Sequence, residues 1–228
     1  IEAAETAGST IVFPGNVYNF GPALDRPFVE TDAFKPNTRK GKLRVELERL
    51  LSAAVGRGKA RVLIVRAGDF FGPTVRNGLV DPIFGNAKKH RMMTMFGNPD
   101  IPHQWAFVPD MARLACDLLD MGERLNPFEV VHFKGHVVDP GRRIAKLAAI
   151  SAGLPELKVF RIPWIFVRLV GLFDGVVREL MEMRYLFDTS VIIDDPRRRE
   201  LLPNFKDTPL EVAVLTTVDS YVDPAKTN

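Results

Sequence analysis

The sequence predicts an α/β fold organised on a parallel sheet. Two short apolar runs and the segment between them carry the prediction. Ser9-Thr-Ile-Val-Phe13, held between Gly8 and Pro14, reads as a buried strand. Thr38 to Val55 places Leu43, Leu47, Leu50 and Leu51 at helical spacing. Arg61-Val-Leu-Ile-Val65 then reads as a second buried strand. A helix between two buried strands is a β-α-β unit, which favours parallel pairing through a right-handed crossover.

The other elements follow in order. Ile1 to Ala7 reads as the last turns of a helix with Gly8 as its C-cap, so further chain is expected upstream of Ile1. Asn19 to Asn37 is a Pro- and Gly-rich loop. Arg66-Ala-Gly-Asp-Phe-Phe-Gly-Pro73 is a loop after a strand end. Thr74 to Trp105 is irregular. A helix is expected over Met111 to Met121 with Asp110 as N-cap, and a third strand over Phe128 to Phe133. Arg142 to Ala152 is helical and closed by Gly153. Trp164 to Phe187 holds one or two helices. Thr208-Pro-Leu-Glu211 is a helix start with Thr208 as N-cap and Pro209 at the first position.

Composition bounds what the chain does. It has 228 residues, 46% hydrophobic and 26% charged, the balance of a globular protein with a substantial core. A formal charge of +3 is too small to argue for nucleic acid. A single cysteine excludes an internal disulfide and fits a reducing, cytoplasmic compartment. Cys116 lies in an apolar run and reads as a buried helix residue. Val159 to Val177 is the most apolar stretch, but Arg161, Pro163, Arg168 and Asp174 interrupt it. It reads as a core helix of a small lobe rather than a membrane span, with a membrane-surface or partner-facing helix as the alternative.

In doubly wound sheets, ligands bind beyond the carboxyl ends of the strands. Pro14 to Gly21, Ala67 to Pro73 and the chain from Gly135 all follow strand ends. Five segments, in order, resemble the extended short-chain dehydrogenase/reductases, the NAD(P)-dependent sugar-nucleotide epimerases and dehydratases. They are Phe13-Pro-Gly-Asn-Val-Tyr-Asn-Phe-Gly21, Thr38-Arg-Lys-Gly-Lys42 followed by Leu-Arg-Val-Glu46, Arg66 to Pro73, Val108-Pro-Asp-Met-Ala112, and Pro209-Leu-Glu211. The resemblance implies a Rossmann-type doubly wound parallel sheet with a smaller, mostly helical substrate lobe. Residues 1–73 and 106–135 would form the second half of the Rossmann domain, and 74–105 with 136–228 the lobe. It further implies NAD or NADP as cofactor and a nucleotide-sugar or other small hydroxyl or carbonyl compound as substrate. A homodimer through the Thr38–Val55 helix is expected, with no integral membrane segment.

The resemblance also assigns a site, with departures. The family's Ser position falls on Asn16 and its Tyr position on Thr38, while Lys42 stands for the family's Lys. Catalysis would rest on Lys42, Asn16, Thr38 and Tyr18, the last as a relocated acid. A threonine hydroxyl is too weak an acid to replace a phenol, so a catalytically silent NAD(P)-binding sensor or assembly subunit is the alternative. Lys42, Pro14, Gly15, Ala67, Gly68 and Asp69 would meet the cofactor. Asn16, Tyr18, Arg76 and Arg91 would meet the substrate. The family's phosphate-cradling Gly-x-x-Gly-x-x-Gly does not occur in this sequence, and the half that bears it is expected upstream. His132 and His136 have no completing ligand, so no metal is expected. Lys88-Lys-His-Arg91 and Arg197-Arg-Arg199 read as solvated basic clusters, and Trp164 as core.

Overall fold

The computed structural model describes residues 1–58, 60–89 and 91–221. The chain divides into two compact units. The first comprises Ile1–Asp69, Pro109–Gly135 and Val191–Lys206; the second comprises Phe70–Val108, His136–Ser190 and Asp207–Asn228. The stretch 191–206, assigned by sequence to the lobe, is part of the first unit.

The first unit begins with helix α1, Glu2–Ala7, which ends on Gly8 at φ 62, the left-handed cap its glycine allows. Strand β1, Thr10–Gly15, leads through a 3-10 turn at Val17–Asn19 to the long helix α2, Arg39–Gly56. Strand β2, Arg61–Arg66, follows. After a short strand β3, Asp69–Phe71, the chain leaves and later returns as helix α4, Val108–Leu119, and strand β6, Phe128–His132. The sheet runs β1-β2-β6 and every pairing is parallel, as the β-α-β reading requires. Central β2 is buried from Val62 to Arg66, which explains its unbroken apolar run. Helix α2 packs Leu47, Leu51 and Val55 against Ile11, Phe13, Val62, Ile64 and Val130. Among the described residues, β1 pairs along one side only.

Helix α4 begins three residues earlier than expected, at Val108 instead of Met111. Asp110 therefore lies inside its first turn, buried and paired with Arg113 at 3.0 Å, instead of capping it. Its buried face is Met111, Leu114 and Leu118, which turns Cys116 outward, contrary to the expectation of a buried thiol. Helix α9, Pro196–Leu201, closes the unit against β6, where Arg197 meets Glu129 at 2.9 Å.

The second unit holds more order than its sequence suggests. The stretch that read as irregular contains a π-helical turn at Asp81–Gly85, helix α3 at Asn86–Lys88, and strands β4, Met93–Phe96, and β5, His103–Phe107. Strands of three to five residues with mixed polarity leave too short a period to read. Strand β7, His136–Val138, pairs antiparallel with β5, and β8, Val159–Ile162, pairs parallel with β4. Helices α5, Arg143–Ser151, and α10, Leu210–Asp219, cover a core of Phe71, Phe84, Trp105, Ala145, Ala148 and Val214. Helix α10 begins one residue later than expected, with Pro209 rather than Thr208 at the position before its first residue. Helices α6, Trp164–Val170, α7, Gly175–Glu182, and α8, Tyr185–Asp188, complete the unit. Among the described residues, no helix is long and apolar enough to cross a membrane.

Two positive-φ glycines of the first unit make a controlled comparison. Gly21 has φ 76, and a Cβ there would collide with the carbonyl oxygen of Lys35; Gly58 has φ 71 and open space around it. The left-handed backbone alone costs a side chain about 1–2 kcal/mol. Gly58→Ala should lose about that much stability, and Gly21→Ala clearly more, about 3 kcal/mol or above. Urea unfolding of the two variants checks this; equal losses would contradict the collision.

Candidate functional site

The carboxyl ends of the first unit's strands set the geometry. Gly15 pairs with Arg66, and Arg66 pairs with His132, so these three form one row across the sheet. Gly15 is small for a packing reason: a Cβ there would lie 3.0 Å from Ile64 Cγ2 and 3.2 Å from Arg66 Cβ.

Arg66 is fully buried at the end of the central strand. Its guanidinium donates to Glu48 Oε1 at 2.7 Å and Oε2 at 2.8 Å, and to the carbonyl of Asn16 at 2.7 Å. Glu48 comes from the buried face of α2 and also accepts from Asn19 Nδ2 at 2.9 Å. One carboxylate thereby ties the strand end, the turn after β1 and the helix together. Burial lowers the guanidinium pKa from its ordinary value, and Glu48 opposes that shift. Phe20 and Phe34 each place a ring centroid 5.3 Å from the Arg66 Cζ. The loop from 19 to 37 thus folds down over a buried cation.

His132 ends β6 in the same row. Its Nδ1 meets the carbonyl of Asp194 at 2.9 Å, and its backbone N–H donates to Glu30 Oε1 at 3.0 Å. Phe28 bridges to Ile193 in parallel fashion, which fixes the 191–195 segment beside the strand end. Asp195 is fully buried and pairs with Arg198 and, at 2.5 Å, with Arg199. Desolvation, then the Arg66 charge, lowers the His132 pKa to about 3, so the imidazole is neutral at pH 7. Desolvation raises the Glu30 carboxyl above its ordinary value.

The sequence-derived candidates fall into two groups. Pro14, Gly15, Asn16, Tyr18, Thr38, Lys42, Ala67, Gly68 and Asp69 belong to the first unit, and Arg76 and Arg91 to the second. Asn16 caps the 3-10 turn, its Oδ1 accepting from the Tyr18 N–H at 3.1 Å. The chain has therefore already turned at Tyr18. Thr38 is buried, and its Oγ1 accepts from the Gly41 N–H at 3.0 Å as the cap of α2. Gly41 permits the helix start to sit against the turn, since a Cβ would lie 2.6 Å from the Tyr18 carbonyl oxygen. Ala67 is fully buried and its N–H donates to the Gly15 carbonyl at 3.3 Å; Gly68 and Asp69 are partly exposed, and Pro14 is exposed.

Lys42 is exposed on the outer face of α2. The half-buried row of that helix is Lys40, Arg44 and Leu47, leading to buried Leu51. Arg44 places its Cζ 5.7 Å from the Phe13 ring on β1. Glu46, read as the motif's carboxylate, is exposed and paired with Arg49; the buried carboxylate is Glu48. The signal that finds Glu48 in the sequence is its helical phase, seven residues after Gly41 and three before Leu51. The first turn of α2 carries Arg39, Lys40 and Lys42 and no acid, although a helix N-terminus is itself electropositive.

In the second unit, Arg76 lies 3.7 Å above the Tyr221 ring and donates to the carbonyls of Val75 and Ser220. Tyr221 donates to Asp81 Oδ1 at 2.7 Å, and burial first, then Asp81, raises its phenol pKa. These residues with Asn86, Lys89 and Thr94 line a cavity of about 430 Å³. Arg91 is exposed, and His90 lies outside the described residues. Among the described residues, no cluster of three or more His, Cys, Asp or Glu could hold a metal ion.

The NAD dependent epimerase/dehydratase family model matches residues 1–132. The chain belongs to that family. Similar solved structures share its fold. RMD from Pseudomonas aeruginosa complexed with NADPH is 16% identical at a TM-score of 0.68, over 93% of this chain and 66% of that one. DesIV, a dTDP-glucose 4,6-dehydratase from Streptomyces venezuelae with NAD and TYD bound, is 16% identical at 0.74, over 96% and 62%. MoeE5 in complex with UDP-glucose and NAD is 18% identical at 0.73, over 96% and 67%. The chain thus spans about two thirds of the length of these family structures. No curated protein sequence matches it.

His132 gives the site a pH signature. With the folded pKa lowered from 6.5 to about 3, the unfolded chain binds the proton first as pH falls. The stabilisation is complete above pH 6.5 and is lost as pH drops towards 3. Stability should fall by up to about 1.4 kcal/mol per unit between pH 6.5 and about 4.5, above the range where most carboxylates titrate. Urea midpoints across this range measure the slope, and His132→Gln should flatten it.

Proposed function

We propose that this chain serves an NAD(P)-binding, epimerase- or dehydratase-like protein with an atypical active site, acting on a nucleotide-sugar or another small hydroxyl or carbonyl compound. The observation that carries the reading is the buried Glu48–Arg66 pair. Spacing alone puts the Tyr-x-x-x-Lys pattern and the Glu that follows it on Thr38, Lys42 and Glu46. Anchored instead on the buried carboxylate, it moves two residues along, to Lys40, Arg44 and Glu48. Lys40 then occupies the acid's position and Arg44 that of the lysine.

The chain's own residues fit one end of a dinucleotide. A first turn of α2 that carries three cations and no acid favours an anionic or hydroxyl-rich ligand. When bound, the nicotinamide would accept or return a hydride at a substrate carbon. Lys40 and Arg44 would hold the ribose and phosphate side, and the Asn16 amide would orient a substrate oxygen. Tyr18 supplies the phenol closest in sequence to this turn and is the candidate acid. The neighbours complexed with NADPH or NAD, two of them carrying nucleotide ligands, support this class of ligand. A homodimer through α2 is favoured by Leu43 and Leu50, which are exposed seven residues apart on that helix.

A second reading has its own support. The Asn16 Oδ1 serves as a cap, and so does the Thr38 hydroxyl, where spacing alone places the family's Tyr, so both positions of that placement are occupied structurally. On that reading the protein binds NAD(P) without turnover, as a sensor or assembly subunit.

Titration of the full-length protein with NADH and NADPH, followed by nucleotide fluorescence, tests the shared part. Lys40→Ala and Arg44→Ala should each weaken binding about tenfold, the scale of one charge-assisted contact, and Lys42→Ala about twofold or less. Equal effects at all three would return the pattern to its first placement. A panel of nucleotide-sugars separates the two readings: turnover abolished in Tyr18→Phe supports the enzyme, and tight binding with no turnover supports the silent protein.

A further inference from the structure

The second unit carries an apolar protrusion that its own fold leaves uncovered. Helix α6 buries Trp164 and Val167, and Gly171 continues that inward row. The opposite face should then be polar. Instead it presents Ile165, Phe166, Leu169 and Val170, each between 51% and 59% exposed. Apart from Arg168 the helix is apolar all round, and such a helix is ordinarily buried. The turn that follows is more apolar still, with Leu172 at 68% and Phe173 at 93% exposure. A residue so exposed has almost no neighbours, so Phe173 marks the tip of the α6–α7 hairpin. The hairpin itself is tightly closed: a Cβ on Gly171 would lie 3.0 Å from the Arg178 Cα, and Asp174 caps α7 by accepting from the Val177 N–H at 3.2 Å. The six side chains expose on the order of 700 Å² together, above the roughly 300–600 Å² of an ordinary largest surface patch.

Charge decides what the protrusion fits. From Leu157 to Phe173 the sequence holds Lys158, Arg161 and Arg168 and no acid, and all three cations are exposed. Arg178 on α7 is exposed as well, while the acids Asp174, Glu179 and Glu182 follow the tip. An aliphatic and aromatic tip behind which long cationic side chains can reach outward is the arrangement of an interfacial segment: the tip enters the acyl boundary and the cations meet anionic headgroups. We propose that the α6–α7 hairpin docks this protein on anionic membrane surfaces, through Ile165, Phe166, Leu169, Val170, Leu172 and Phe173, with Lys158, Arg161 and Arg168 facing the headgroups. It lies on the membrane and does not span it. A fluid bilayer accepts a protruding tip without a preformed complementary pocket, which a protein partner would have to provide.

Co-sedimentation of the full-length protein with vesicles tests the docking. Vesicles of phosphatidylcholine alone are compared with vesicles containing phosphatidylglycerol, at low and high salt. The protein should sediment with the anionic vesicles, and added salt should release it. The Leu172→Glu/Phe173→Glu double variant should lose about tenfold or more in vesicle partition with an unchanged melting temperature, because both residues are exposed in the free protein. Protein that stays in the supernatant with both vesicle types overturns the proposal, as does a double variant that sediments like the parent. Light scattering covers the remaining occupant: a dimer in the absence of lipid that the double variant dissociates assigns the patch to a second copy and also overturns it.

Discussion

A buried arginine cannot stay unpaired, and the first unit is arranged around that fact. Arg66 stands at the end of the central strand with no exposure to solvent. Taking a guanidinium out of water costs several kcal/mol unless charge and hydrogen bonds are returned to it. Glu48 returns both, in a two-oxygen contact, and the Asn16 carbonyl accepts from the other terminal nitrogen, while Nε is buried without a hydrogen-bond partner among the described residues. Each partner comes from a different segment. Satisfying one cation therefore fixes the phase of α2, the path of the turn after β1 and the position of the loop whose Phe20 and Phe34 rings cover it. An apolar residue in place of Arg66 would fill the space but would leave those three segments without a common reference. Here the ion pair works as a registration device, the best attested use of a buried pair.

The sheet and its first crossover were legible because long periodic runs carry them. Leu47, Leu51 and Val55 at helical spacing, and an unbroken Val62 to Val65, leave little room for another fold. Element ends were less legible. Val108 and Pro109 begin α4 before the acid that looked like its cap, since Pro at the second helical position costs nothing there. The second unit's strands are three to five residues long, too short for periodicity to show.

The sequence points to the candidate site's chain position and leaves its register open. Thr38-x-x-x-Lys42-x-x-x-Glu46 and Lys40-x-x-x-Arg44-x-x-x-Glu48 have the same spacing, so a motif comparison cannot choose between them. Only one of the two acids has a buried cation to meet. Arg66 lies in the next strand, eighteen residues from Glu48, and its pairing is a tertiary fact. The clusters at His132 and Asp195 were hidden for the same reason. Their partners Glu30, Asp194 and Arg198 come from segments that looked like loop or solvated surface, and only parallel pairing of Phe28 with Ile193 brings them to the strand end.

The register has a consequence for how chemistry could run at this position. A phenol beside a lysine is an acid whose pKa the cation lowers, so it exchanges a proton while the ligand stays bound. On the proposed register two cations, Lys40 and Arg44, would act instead as a binding device, since an arginine keeps its proton at any working pH and cannot relay one. On the proposed register the helix start keeps charge and gives up proton transfer, at the electropositive end of α2. An anion at that point relieves the helix and the side chains together. On that register binding and proton transfer, which the family combines on one helix turn, would be separable in this chain, and an acid would have to come from outside α2. The half-buried phenol of Tyr18, held at its backbone by Asn16, is the residue of the adjoining turn with the chemistry to supply it.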